Sequence, residues 1–69
     1  MTVGEAIRQA REAAGWTQVE LAKRANIHRT YLNQLEHGRK SPSLDIFMQI
    51  CEALKIRPSK IIAQIERTR

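Results

Sequence analysis

The sequence predicts an all-α fold, a compact bundle of five short helices, and three observations carry that reading. Apolar residues recur at helical spacing in five segments, while two-residue alternation is nowhere sustained. Residues that favour helix starts, Thr2, Thr17 and Ser43, stand just ahead of such segments, and Gly15, Asn26 and Gly38 stand just beyond them. The breaks between are short, with no repeat, low-complexity tract or linker, so consecutive helices must pack on one another.

In the first helix Val3, Ile7, Ala10 and Ala14 fall on one face. Thr2 with Glu5 forms a capping box at its start, and Gly15 sits where a left-handed C-terminal cap is wanted. Thr17 with Glu20 reads as a second capping box. It opens a helix that ends near Ala25, with Val19, Leu21, Ala22 and Ala25 as its apolar side. Asn26, the residue that after glycine best tolerates positive φ, stands in the tight connection. A third helix is expected over 28–37, stopping at Gly38, with Tyr31, Leu32 and Leu35 as its buried stripe. The polar loop RKSPS follows, and Ser43 caps a fourth helix whose inward stripe reads Leu44, Phe47, Cys51 and Leu54. Pro58 is placed as the first residue of a short fifth helix carrying Ile61, Ile62 and Ile65.

Sixty-nine residues make one domain, 1–69. A chain of this size buries only about 60% of its unfolded surface, so it needs very good packing or core from a second copy. The single cysteine, Cys51, allows no internal disulfide. One thiol, and a start (MTVGEAIRQ) lacking a basic n-region and an apolar h-region, point to a cytoplasmic protein. No apolar run approaches the roughly 20 residues that span a bilayer. Twelve Lys+Arg against seven Asp+Glu give a net charge of +5, which suits a polyanion, either nucleic acid or an anionic membrane surface.

Catalysis and metal binding find no support. No carboxylate pair of general acid–base type and no nucleophile beside a base can be picked out, and so small a bundle has little room for a pocket. His28, His37 and Cys51 lack metal-ligand spacing, and Cys51 lies on an apolar stripe where a buried thiol is the common case. No cofactor and no small-molecule ligand are expected.

The third helix is unusual for what it carries opposite its apolar stripe. At 100° per residue with Arg29 as zero, Asn33 lies at about 40°, His37 at about 80°, Thr30 at about 100° and Gln34 at about 140°. Solvated helix faces usually carry Glu/Lys pairs, and this arc has no carboxylate. Its side chains match what reading B-DNA requires. Arg can bond guanine O6 and N7 together, Asn or Gln can do so with adenine N6 and N7, and a Thr methyl can touch thymine.

The stretch TQVELAKRANIHRTYLNQLEHGRKSPSL resembles the helix-turn-helix of the Cro/phage-repressor (xenobiotic-response-element) family, and the match runs from about Ile7 to Ile62. The matching pattern includes Arg11, Gly15, Thr17, Gln18, Leu21, Ala22, Leu35, Glu36, Gly38, Pro42, Ser43, Leu44, Ala53 and Leu54. RTY at 29–31 in so short a chain is most similar to the controller proteins of restriction–modification systems. The resemblance implies a phage-repressor-like DNA-binding domain with its helix-turn-helix at about 17–37. It implies that Gln18 caps the second helix against a phosphate and that Arg29, Thr30, Asn33 and Gln34 face base edges in the major groove. It also implies that Arg11 pairs with Glu36, tying the first helix to the third. The chain departs from the family's frequent Gly-Val-Ser or Gly-Val-Thr by having Asn26-Ile27-His28, and His28 is a poorer N-cap than serine.

Charge and position complete the expected interface. Arg24, Arg39, Lys40 and Ser43, at loops and helix starts flanking the third helix, are expected to contact phosphates, and Gln18, as the resemblance implies, and Tyr31 complete the phosphate-contacting set. Arg8, Lys55, Arg57, Lys60, Arg67 and Arg69 add general positive field. The expected function is that of a transcriptional regulator binding a palindromic operator in double-stranded DNA as a homodimer. Ile46, Met48, Ile50, Ile61, Ile62 and Ile65 exceed one monomer's needs and are the expected dimer interface. The same fold could instead serve as an antitoxin or protein-binding module. A membrane-surface role for 55–69 is the other alternative, though a dimer seam explains the same isoleucines equally well.

Overall fold

The computed structural model describes residues 1–67, so Arg69 of the expected basic field lies outside the described residues. Five helices follow one another: α1 (Val3–Ala13), α2 (Gln18–Ala25), α3 (Arg29–Glu36), α4 (Leu44–Leu54) and α5 (Pro58–Arg67). Helix α2 packs on α3 and α4, and α1 spans the bundle against α3, α4 and α5.

The caps explain where the helices begin. Both halves of the Thr2–Glu5 box are made: Thr2 Oγ1 accepts from Glu5 N at 3.1 Å, and the Glu5 carboxylate accepts from Thr2 N at 2.8 Å. These bonds, the backbone one first, hold the Glu5 carboxyl below its ordinary pKa. The second box is only half formed. Thr17 Oγ1 accepts from Glu20 N at 3.1 Å, but the Glu20 carboxylate turns along the helix to Arg24, 3.3 Å away. A guanidinium one turn on competes for an exposed carboxylate with a single backbone N–H.

His28 does cap α3: its Nδ1 accepts from Thr30 N at 3.1 Å. The helix runs one residue shorter at each end than 28–37, with His28 and His37 as its two caps. Ser43 Oγ accepts from Ile46 N at 3.2 Å at the head of α4. Gly15, Asn26 and Gly38 all take positive φ just past a helix, and so does Lys55 after α4, at 55°, where its residue type gives no sign of it.

The core consists of Ala6, Ile7, Leu21, Ala22, Ala25, Leu32, Leu35, Phe47, Ile50, Cys51 and Ile61. Several expectations about it need correction. Val19 is 52% exposed and Leu44 73% exposed, so neither belongs to an inward stripe. Val19 sits about 110° round α2 from the centre of the buried arc. Leu44 is the first residue of α4, where the stripe is least covered. On α1, Ala14 is exposed, and the buried positions are Gly4, Ala6 and Ile7. Ile50 and Ile61 are wholly buried within the monomer, so neither is available to a partner chain or a membrane surface.

One close approach sets the position of α3. A Cβ on Gly4 would fall on the carbonyl of Leu35 and within 3.2 Å of the Glu36 Cα. The start of α1 therefore crosses the end of α3 backbone to backbone, which only glycine allows. No helix among the described residues is long and apolar enough to cross a membrane.

Candidate nucleic-acid interface

Where α1 crosses α3, Glu36 is buried among polar partners. Arg11 Nε donates to Glu36 Oε2 at 2.8 Å and an Arg11 terminal nitrogen donates to Oε1 at 3.0 Å. The other Arg11 terminal nitrogen donates to the Trp16 carbonyl at 2.8 Å. The hydrogen bond to Glu36 raises the Arg11 pKa further above an already high value, so this cation does not titrate away. Glu36 is the one carboxylate of α3, and it lies on the inner side.

Gln18 joins the same cluster. It is the first residue of α2 and not its cap, since Thr17 holds that place. Its Nε2 donates to Glu36 Oε1 at 3.0 Å, and its Oε1 accepts from Asn33 Nδ2 at 3.3 Å. The cluster thus runs from the α1–α3 crossing out to the polar side of α3.

That side opens on a groove lined by Arg11, Thr17, Gln18, Val19, Arg29, Thr30 and Asn33. Three of the four residues expected to read bases lie together here. Arg29 and Thr30 are exposed, and Asn33 is half-buried and bonded to Gln18. Gln34 is also half-buried and is not among the groove residues. The first turn of α3 contains no acid, so the positive end of its dipole is not neutralised from within. No exposed carboxylate lines the groove, which makes it a place for an anion with hydrogen-bonding edges.

The flanking residues divide. Arg39 and Lys40 are exposed in the loop after α3, and the Lys40 ammonium stands 5.9 Å from the centre of the Tyr31 ring. Tyr31 itself is half-buried against the core. Ser43 uses its oxygen as an acceptor in capping α4, which leaves its hydroxyl hydrogen to donate. Arg24 is engaged elsewhere: its guanidinium lies 4.4 Å over the Trp16 ring and meets Glu20. It lines a neighbouring hollow with Thr17, Val19, Glu20 and Lys23, apart from the α3 side chains.

Three groove residues are not anticipated there by the sequence: Val19, Thr17 and Arg11, which is expected only as the partner of Glu36. The wheel angle of Val19 is the available signal, since it falls outside the arc of Leu21, Ala22 and Ala25. Thr17 reads only as a cap. Among the described residues no three His, Cys, Asp or Glu side chains converge as a metal site. The Cys51 thiol is buried, and that burial pushes its pKa up.

The chain matches the helix-turn-helix family model over residues 7–61. It is 41% identical over 64 residues to the immunity repressor protein of Bacillus phage phi105, covering 93% of this chain and 44% of the repressor. It is 33% identical over 60 residues to the control protein C.BamHI of Bacillus amyloliquefaciens, covering 86% of this chain and 74% of that one. Over the shared region the crystal structure of the clp gene regulator ClgR from Corynebacterium glutamicum superposes with a TM-score of 0.91 at 30% identity, covering 96% of this chain and 86% of that one. The chain spans about half the length of the phage repressor and of the Mycobacterium tuberculosis regulator ClgR. With a groove-lining third helix, an inward Glu36 and a family match over most of its length, this chain belongs to the helix-turn-helix family.

Proposed function

We propose that this protein is a transcriptional regulator that binds double-stranded DNA sequence-specifically, as a homodimer on a palindromic operator, with α3 in the major groove. The observation that carries the proposal is the single groove that joins Arg29, Thr30 and Asn33 with no exposed carboxylate among them. Arg29 and Thr30, on the first turn of α3, are the side chains best placed to reach base edges, and Asn33 follows one turn on. Arg39, Lys40 and Ser43 hold phosphates beside it. Arg24 contributes field over its tryptophan, and Tyr31 supports Lys40. Relatives named as a repressor, a control protein and a gene regulator support a role in transcription.

The dimer surface of this proposal differs from the six residues expected from the apolar pattern alone. With Ile50 and Ile61 in the core, it comprises Leu44, Met48 and Ile62, with the half-buried Ile46 and Ile65.

Selection of bound duplexes from a random pool tests the reading. The expected result is a common two-fold symmetric sequence, bound at least about 10³-fold more tightly than random duplex at equal salt. Enrichment of no common sequence would overturn it.

A further inference from the structure

A chain of side-chain hydrogen bonds runs from the buried ion pair out to the groove, and its direction is dictated from the buried end. Arg11 takes both oxygens of Glu36. A carboxylate so paired has no hydrogen to give, so any amide beside it must present its NH2. Gln18 does this at 3.0 Å. Its amide is thereby turned with Oε1 outward, able only to accept. Asn33 meets that oxygen with its own NH2 at 3.3 Å. The Asn33 amide is oriented in turn, at the edge of the groove it shares with Arg29 and Thr30.

We infer that the Arg11–Glu36–Gln18 chain selects the base that Asn33 reads, with Gln18 as a positioning residue for adenine. This rests on the duplex-reading function proposed above. With one amide hydrogen held by Gln18, Asn33 keeps one N–H and its Oδ1 for the groove. A donor beside an acceptor is the complement of the major-groove edge of adenine, whose N7 accepts and whose N6 donates. Guanine presents two acceptors, O6 and N7, and would need both amide hydrogens. Asn33 cannot give both while Gln18 holds one. Turning the amide over would set its oxygen against Gln18 Oε1, two acceptors with no hydrogen between them. An asparagine without this neighbour bears neither constraint. The outermost bond is the longest of the chain, so Gln18 tilts the preference in a graded way.

The test compares duplexes selected from a random pool by the unmodified protein, by Asn33→Ala and by Gln18→Met. The methionine keeps the bulk of Gln18 and removes its amide. The unmodified protein is expected to prefer adenine at one position of each half-site, and Asn33→Ala to lose that preference at that position alone. Gln18→Met is expected to weaken adenine preference at the same position by about tenfold, with the preference at the Arg29 position intact. Gln18→Ala serves if circular dichroism shows the methionine variant misfolded. Adenine preference kept in full by the Gln18 variants overturns the inference and leaves duplex reading standing. So does a loss of affinity that is uniform over all sequences, which would make Gln18 a phosphate contact alone. A pool from the unmodified protein with no common sequence overturns the underlying reading and this inference with it.

Discussion

Arg11 and Glu36 are joined by two hydrogen bonds, of 2.8 and 3.0 Å, and the glutamate side chain at the centre is wholly buried. Removing either partner leaves a desolvated charge, which costs about 3–5 kcal/mol, whereas removing both leaves none. Arg11→Met and Glu36→Leu should therefore each lower the urea midpoint or Tm sharply, and the double variant should lose much less than the two together. A cycle with additive single effects would show that the pair is not coupled. The remaining loss in the double variant should come from the Trp16 carbonyl, which loses Arg11, and from Gln18 Nε2, which loses Glu36.

Gly4→Ala separates helix propensity from packing. Propensity alone favours alanine inside α1 by up to about 1 kcal/mol. The added Cβ would meet the Leu35 carbonyl and come within 3.2 Å of the Glu36 Cα, both of them backbone that cannot swing aside. The expected net effect is a loss of about 1–3 kcal/mol in urea unfolding. A gain would mean that the two helices can separate without disturbing the core.

Lys55 closes α4 in the left-handed region at φ 55°. That conformation strains a side chain with a Cβ by about 1–2 kcal/mol, and glycine relieves it while adding freedom to the unfolded chain. Lys55→Gly should raise stability by up to about 1 kcal/mol. Asn26→Gly, at φ 58°, should do less, because asparagine tolerates the region already. If Lys55→Gly were the less stable variant, the left-handed cap would not be the solution conformation.

These positions mark what a sequence can and cannot reveal. The Thr2–Glu5 box, the Ser43 cap and the common face of Arg29, Thr30 and Asn33 each depend on residues within a turn or two of one another, so spacing reveals them. The Thr17–Glu20 box, read as complete, is only half made, because spacing alone does not rank the backbone N–H against Arg24, four residues on, as the partner of Glu20. The link from Glu36 through Gln18 to Asn33 is not legible. It joins residues 15 and 18 positions apart, and their meeting depends on how α2 packs on α3. Ile50 and Ile61 look surplus because a sequence gives the apolar content of a helix but not which neighbours cover it. The positive φ of Lys55 has no signature in its residue type.

Base reading and phosphate contact should separate in binding data. Arg29→Ala should cost about 1–3 kcal/mol on the selected site and relax preference at one base pair. Arg39→Ala and Lys40→Ala should weaken all duplexes alike and lower the slope of log K against log salt by about 0.9 for each phosphate no longer neutralised. Equal weakening of selected and random duplexes by Arg29→Ala would remove it from the base-reading set.

The proposed homodimer can be tested through its oligomeric state. One eight-residue helix reads too few base pairs to single out a site among the ~10⁶ or more competitors in a genome. Two-fold symmetry would supply the missing information by setting two such helices about 34 Å apart on successive turns of the major groove. With extents of 29 × 24 × 22 Å, two copies side by side are of the right size for that spacing. The surface that would join them is apolar. Leu44, Met48 and Ile62 are 73%, 48% and 47% exposed, and a groove between α4 and α5 is lined by Val3, Pro42, Leu44, Phe47, Ile62 and Ile65 among others. Ile62 stands in that groove at the edge of the core, so a charge there should repel a partner copy without entering the monomer interior. Sedimentation at micromolar concentration should therefore show a dimer that Ile62→Glu converts to monomers, with helicity intact and tight binding to the selected duplex abolished. Ile61→Glu should instead unfold the chain, because that side chain is wholly buried. A species that stays monomeric both alone and on DNA would rule the dimer out.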